Sequence, residues 1–271
     1  MSTAQTIVLG AIAGFTIFLG LPVGRIRSGS VRVKTFLNGV SAGILIFLLF
    51  DILENATQPL ENAVTGRTWS HLFALASVYV VGLGAGLLGL VYMGRVWRRR
   101  RPEASFGPGA MALAEIQARR SDALRLGMSI ATGIGLHNFS EGLAIGQAAK
   151  ADEVSLALLL VVGFALHNAT EGFGIVGPLA AEGVSPSWGW LVVAGLVGGG
   201  PTFLGTIVGT AVSSELVFVA FLAMAAGAIL FVIGELFSAG RRLSWEVTLW
   251  GAFAGFVIGL VTELIIVAAG V

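Results

Sequence analysis

The sequence predicts an all-α polytopic membrane protein with eight transmembrane helices. Three observations carry this. Of 271 residues, 56% are hydrophobic and only 11% are charged, where an ordinary soluble domain is about a quarter charged. Apolar stretches of roughly 20 residues, the length that crosses a bilayer, recur along the whole chain. Glycine is abundant, at 39 residues, which suits close helix packing in lipid.

The expected spans cover residues 5–24, 35–56, 70–96, 122–148, 154–178, 187–211, 215–237 and 246–269. No basic segment precedes the first, so it reads as a retained helix and not a cleaved signal. The second carries Asp51 and Glu54 at its outer end, as an entrance for ions or as an exposed helix end. The third runs into Arg98 to Arg101, followed by Pro102, Gly107, Pro108 and Gly109. Residues 97–121 therefore read as a solvated loop with a short helix at Met111–Arg120. The fourth and fifth spans hold the polar residues discussed below. The seventh has Glu235 near its inner end, placed to line an exit. The eighth contains Glu263, a carboxylate that needs a partner in lipid. All eight form one domain, 1–271.

Basic residues set the orientation. Arg25, Arg27, Arg32 and Lys34 follow span 1. Arg95, Arg98 to Arg101, Arg119, Arg120 and Arg125 flank the loop after span 3, and Arg241 and Arg242 follow span 7. Only Arg67 and Lys150 fall on the other side. Eight spans with this bias put both termini outside the cytoplasm.

Chemistry concentrates in a doubled motif. His137-Asn138-Phe139-Ser140-Glu141-Gly142 recurs thirty positions later as His167-Asn168-Ala169-Thr170-Glu171-Gly172. Positions four apart share a helical face, so each copy aligns an imidazole with a carboxylate. Two such pairs at membrane depth, where ionisable groups are costly and mark ion paths, point to a first-row divalent metal site. Asn138 and Asn168 stand one step round and can add carbonyl oxygens. With no cysteine in the chain, a mixed N/O donor set fits Zn²⁺, Fe²⁺ or Mn²⁺ and argues against Cu(I). His71, at the start of span 3, reads as incidental. Nothing in the charge pattern calls for nucleic acid, and no prosthetic group is expected.

The repetition extends beyond the motif. Gly133 to Gly146 aligns with Gly163 to Val176, in consecutive and hence oppositely directed spans. A shorter match links spans 2 and 7, with Ala42-Gly43, Phe47 and Asp51 against Ala226-Gly227, Phe231 and Glu235. Inverted repeats with a site at their midplane mark secondary transporters.

On these motifs, and on Ala226-Gly227 through Glu235, the chain resembles the Zrt/Irt-like protein (ZIP) family of divalent metal transporters. The resemblance implies a 3+2+3 helix arrangement and often a homodimer. It also implies movement of Zn²⁺, Fe²⁺, Mn²⁺ or Cd²⁺ towards the cytoplasm, in the inner membrane of a bacterium or archaeon. The chain departs from the family pattern in four places. Ser140 and Thr170 stand where a proline often precedes the Glu. Gly200 stands before Pro201 where many members carry Glu, which implies one central ion and not two. The loop after span 3 lacks a histidine cluster. Only Ile44 or Leu45 lies near the position where some members have a Met ligand on span 2.

Two other functions compete. A metallohydrolase needs an activated water and a spare acid–base group, but the motif is His-Asn-x-x-Glu and not the His-Glu-x-x-His of zincins. A metal exporter or metal–proton exchanger would use the same donors. In any of these readings metal must displace protons from the histidines. Metal affinity should therefore fall as pH drops through about 6.5, the range of an unperturbed imidazole. A zinc titration giving the same affinity at about pH 5 and pH 8 would contradict histidine ligation.

Overall fold

In the computed structural model, every regular element among the described residues is helical. The structure describes residues 1–25, 30–99, 108–152, 154–212 and 214–268. Within these, the side chains of 93–99, 108–115, 159, 167, 181, 265 and 266 lie outside the description. The helices are α1 Thr3–Phe15, α2 Ile17–Gly20, a 3-10 turn at Leu21–Arg25, α3 Val31–Thr65, α4 Trp69–Arg99, α5 Pro108–Lys150, α6 Val154–Ala181, α7 Trp188–Ala211, α8 Glu215–Leu243 and α9 Trp245–Ala268.

Local sequence explains the starts. Ser2 and Gln5 form a capping box at α1, each side chain accepting from the other's backbone N–H. Ser187 and Ser214 cap α7 and α8 in the same way, accepting from Trp190 and Val217. α1, α2 and the 3-10 turn together make one apolar segment, Thr3–Arg25.

Among the described residues, seven segments are long and apolar enough to cross a membrane. α5 is not among them, although it occupies the expected fourth span. Arg125, His137, Asn138, Glu141, Gln147 and Lys150 dilute its hydropathy. It lies inside the bundle, packed by α6, α7 and α8. At 43 residues it is about 65 Å long by the 1.5 Å rise per residue.

That length corrects one expectation. Residues 97–121 are not a loop with a separate short helix. α4 continues to Arg99 and α5 begins at Pro108, leaving only 100–107, which lie outside the described residues. The physical reason is composition. Met111 to Arg120 is rich in Ala, Leu, Glu, Gln and Arg, strong helix formers, and no Gly or Pro separates them from span 4. Pro108 itself opens the helix, where a missing N–H costs nothing.

The helices sort into two packed sets: α1, α2, α5, α6 and α7 against one another, and α3, α4, α8 and α9 against one another. The sets meet along α3–α6 and α5–α8. Their shared core includes Ile17, Leu45, Leu48, Ile130, Ile134, Ile175, Ile229 and Val232. Glycines bring backbones together within each set. Gly39 and Gly43 of α3 lie on the backbone of α9 around Gly251 and Ala252. Gly86 of α4 meets Met224 of α8, and Gly227 of α8 meets Leu83 of α4. Gly142 and Gly146 of α5 lie against Thr202 and Thr206 of α7. Lipid supplies no hydrophobic drive between helices, so this close packing does the work.

A Cβ at Gly227 would strike the Leu83 carbonyl, whereas one at Gly84 meets nothing within 4 Å. Gly227→Leu should lower the thermal midpoint of the detergent-solubilised protein by the equivalent of about 1–3 kcal/mol of overpacking. Gly84→Ala should leave it unchanged or raise it, having better helix propensity. Equal midpoints for the two variants would refute this packing.

Candidate metal centre

The two motifs face each other across α5 and α6. His137, Asn138 and Glu141 are 4%, 0% and 5% exposed, and Asn168 and Glu171 are fully buried. His137 Nε2 lies 3.2 Å from Glu141 Oε1, one helical turn away. Glu171 is close enough to act electrostatically on both His137 and Glu141. The cluster thus sets two carboxylates against one described imidazole. His167 stands on α6 at the position matching His137, but its side chain lies outside the described residues. Among the described residues, no three His, Asp or Glu groups converge closely enough to hold an ion as they stand.

The asparagines have a definite arrangement. Asn138 Nδ2 donates to the Gly198 carbonyl on α7 at 2.9 Å and to Asn168 Oδ1 at 2.6 Å. Asn168 Nδ2 donates to the Ala13 carbonyl on α1 at 3.1 Å. Only an amide nitrogen can donate to a carbonyl, so the two backbone contacts fix both amide orientations. Asn168 Oδ1 is therefore engaged, while Asn138 Oδ1 is buried with no hydrogen-bond partner among the described residues. The sequence treated the asparagines as equivalent oxygen donors. In the structure only Asn138 has its oxygen unused.

Ser140 Oγ and Thr202 Oγ1 are also buried without hydrogen-bond partners among the described residues. Such atoms cost free energy unless something satisfies them. Thr202 escaped the sequence reading. Its only signal was a hydroxyl directly after an intramembrane proline in an otherwise glycine-rich, apolar helix. Gly200, which stands before Pro201 where the family resemblance led one to expect a Glu ligand, shares a helical face with Leu196 and Leu204, which are exposed. A Cβ there meets nothing within 4 Å. It faces away from the motifs, because the buried face of α7 is made by Ala194, Gly198, Thr202 and Gly205.

The outlying candidates divide. Asp51 is within electrostatic reach of His137, Glu141 and Glu171. Its carboxylate accepts from Asn55 Nδ2 at 3.1 Å. Glu54 and Glu263 both act on it or beside it, joining α3 and α9 in an acidic group at one end of the bundle. The neighbours of Glu263 are thus like charges and not the partner the sequence required. Glu235 is exposed and is not among the charges acting on the buried cluster. His71 is not incidental, since its Nε2 lies 2.6 Å from Glu215 Oε2 and ties the starts of α4 and α8.

A family model described as ZIP Zinc transporter matches residues 113–261, more than half of the chain. The chain belongs to the ZIP family. The match takes in both motifs, all of α6 to α8 and most of α9. A search of curated proteins finds no match. ZIP membership makes this an integral membrane protein of divalent metal transport, a transporter family and not an enzyme family.

The asparagine arrangement is testable without metal. Asn168→Ala removes the acceptor for Asn138 and the donor to Ala13. It should cost about 1–3 kcal/mol, the range for orphaning a buried polar group, and lower the thermal midpoint of the metal-free protein. A midpoint equal to wild type would show that the amide pair holds nothing together.

Proposed function

We propose that this ZIP protein moves Zn²⁺, Fe²⁺ or Mn²⁺, with Cd²⁺ as a further substrate, across the membrane towards the cytoplasm. The cargo ion is bound by His137, Glu141, His167 and Glu171, with Asn138 Oδ1 as a neutral oxygen. Asn168 is assigned a positioning role, since its own oxygen holds Asn138. The observation that carries this reading is two buried glutamates beside a buried histidine, all on helices that bear the same motif. Two carboxylates in a low-dielectric interior repel, and a divalent cation balances them. Nitrogen and oxygen donors without sulfur match borderline first-row ions.

Asp51 and Glu54, joined by Glu263, form the entrance on this reading. Asp51 is near enough to influence the buried cluster yet half-exposed, as a staging group requires. Orientation by the positive-inside rule puts that end outside the cytoplasm. A 3+2+3 inverted repeat is supported by the packing pattern. Exchanging α1 with α7, α3 with α8, α4 with α9 and α5 with α6 turns α3–α9 contact into α8–α4, and α5–α7 into α6–α1. All four contacts exist.

Uptake of radioactive zinc, iron and manganese into proteoliposomes of known orientation tests the function. His137→Ala, Glu141→Ala, His167→Ala and Glu171→Ala should each abolish saturable uptake while the protein still folds. Asp51→Asn should instead raise KM several-fold with a smaller change in maximal rate. Normal uptake by the quadruple variant would refute the site, and export from inward-loaded vesicles alone would refute the direction.

A further inference from the structure

Away from the metal centre, a cavity of about 510 Å³ opens where α8 turns into α9. It is lined by Gly234, Phe237, Ser238, Arg241, Arg242 and Trp245, and its volume falls within the usual range for small-molecule sites, about 300–1,000 Å³. Neither guanidinium makes an ion pair or hydrogen bond with the described residues, so the lining holds two positive charges without a carboxylate paired to them. The lining also includes an aromatic pair, Phe237 and Trp245, edge to face at 5.7 Å between ring centres. Trp245 and the neighbouring Leu243 are both 48% exposed. A half-exposed Trp beside Arg at the end of spanning helices marks the level of the lipid headgroups. This is also the end of the bundle that carries Arg25, Arg32, Lys34, Arg119, Arg120 and Arg125. α9 starts at Trp245, a lining residue, and the first N–H groups of a helix have no partner within it.

We propose that this cavity binds the phosphate of an anionic membrane lipid. The forked guanidiniums of Arg241 and Arg242 grip phosphate oxygens in paired hydrogen bonds. Ser238 adds a hydroxyl donor, and the Phe237–Trp245 wall meets the glycerol and upper acyl chain. Basic pockets between spanning helices on the cytoplasmic side recognise such headgroups on general grounds. A second cavity, lined by Gln117, Arg120, Ser121, Leu124, Arg125, Met128 and Trp190, is a poorer host. There Asp122 lies 3.9 Å from Arg125 and offsets its charge.

Native mass spectrometry of the full-length protein, titrated with phosphatidylglycerol, phosphatidylcholine or inorganic phosphate, tests this. Phosphatidylglycerol should bind in preference to phosphatidylcholine. Arg241→Gln with Arg242→Gln should weaken it about thirtyfold, given the usual worth of two basic residues at a membrane surface. Arg67→Gln, at the opposite end, should not weaken it. Gly234→Phe should also weaken binding, because that position is open and a ring there fills the cavity without removing charge. The thermal midpoint of each variant checks that it folds. Retained affinity in the double arginine variant or in Gly234→Phe would overturn the proposal, as would equal binding of the two lipids. Competition by inorganic phosphate at the same concentration as phosphatidylglycerol would assign the cavity to free phosphate and overturn the lipid.

Discussion

Glu141 and Glu171 are carboxylates inside a membrane bundle, and the surrounding architecture answers to that constraint. An isolated ionised carboxylate in an apolar interior is costly beyond anything a single contact returns. Here the charge is met by His137 at 3.2 Å from Glu141, by amides that fix the nearby helices, and on our reading by the cargo ion. The packing around the pair therefore has to be rigid enough to hold donors in register and dry enough to give the ion a reason to bind. Glycine contacts supply the first, and the apolar layer of Ile130, Ile134, Ile175 and Ile229 the second.

The motif divides that labour by helical geometry. His and Glu occupy positions one and five, so they share a face. Asn and Gly occupy positions two and six, so they share the next face, about 100° round. The first face carries the chemistry and the second docks the helix. Asn138 donates to Gly198 and Gly142 lies on Thr202, both on α7; Asn168 donates to Ala13 on α1, and Gly172 lies on Ile17 of α2. Each motif is held by a different helix through the same two residues. A sequence constraint that looks like six residues of metal chemistry is thus largely a helix-docking device with two ligands attached.

This explains what the sequence made legible. The all-helical membrane class and the identity of the His–Glu helices came from hydropathy and repetition, which are local signals. The loop at 97–121 was misjudged because charge was allowed to outweigh helix propensity. The asparagine roles were not legible, since which oxygen is free depends on carbonyls of residues 13 and 198, far away in sequence. Gly200 was placed by its neighbour Pro201, but a facing direction is set by the whole wheel of α7 and not by one proline. Asp51 reads from sequence as an ion entrance or an exposed helix end; α3 runs on to Thr65, so Asp51 lies within the helix, in electrostatic reach of His137.

The same geometry limits how many ions the centre can hold. Beyond the His–Glu pairs, the unused donors are neutral oxygens: Asn138 Oδ1, Ser140 Oγ and Thr202 Oγ1. Neutral oxygens complete a coordination shell, but they do not offset a second double charge placed a few ångströms from the first. In a low-dielectric interior that repulsion is severe without extra anionic ligands. α7 supplies none, since its position before the proline is Gly200 and faces outward. A carboxylate introduced there would point to the exposed face of α7 and not to the centre, whereas Thr202 is fully buried. On our reading of the centre, charge balance at the two glutamates, and not the number of available oxygens, sets how many ions it takes.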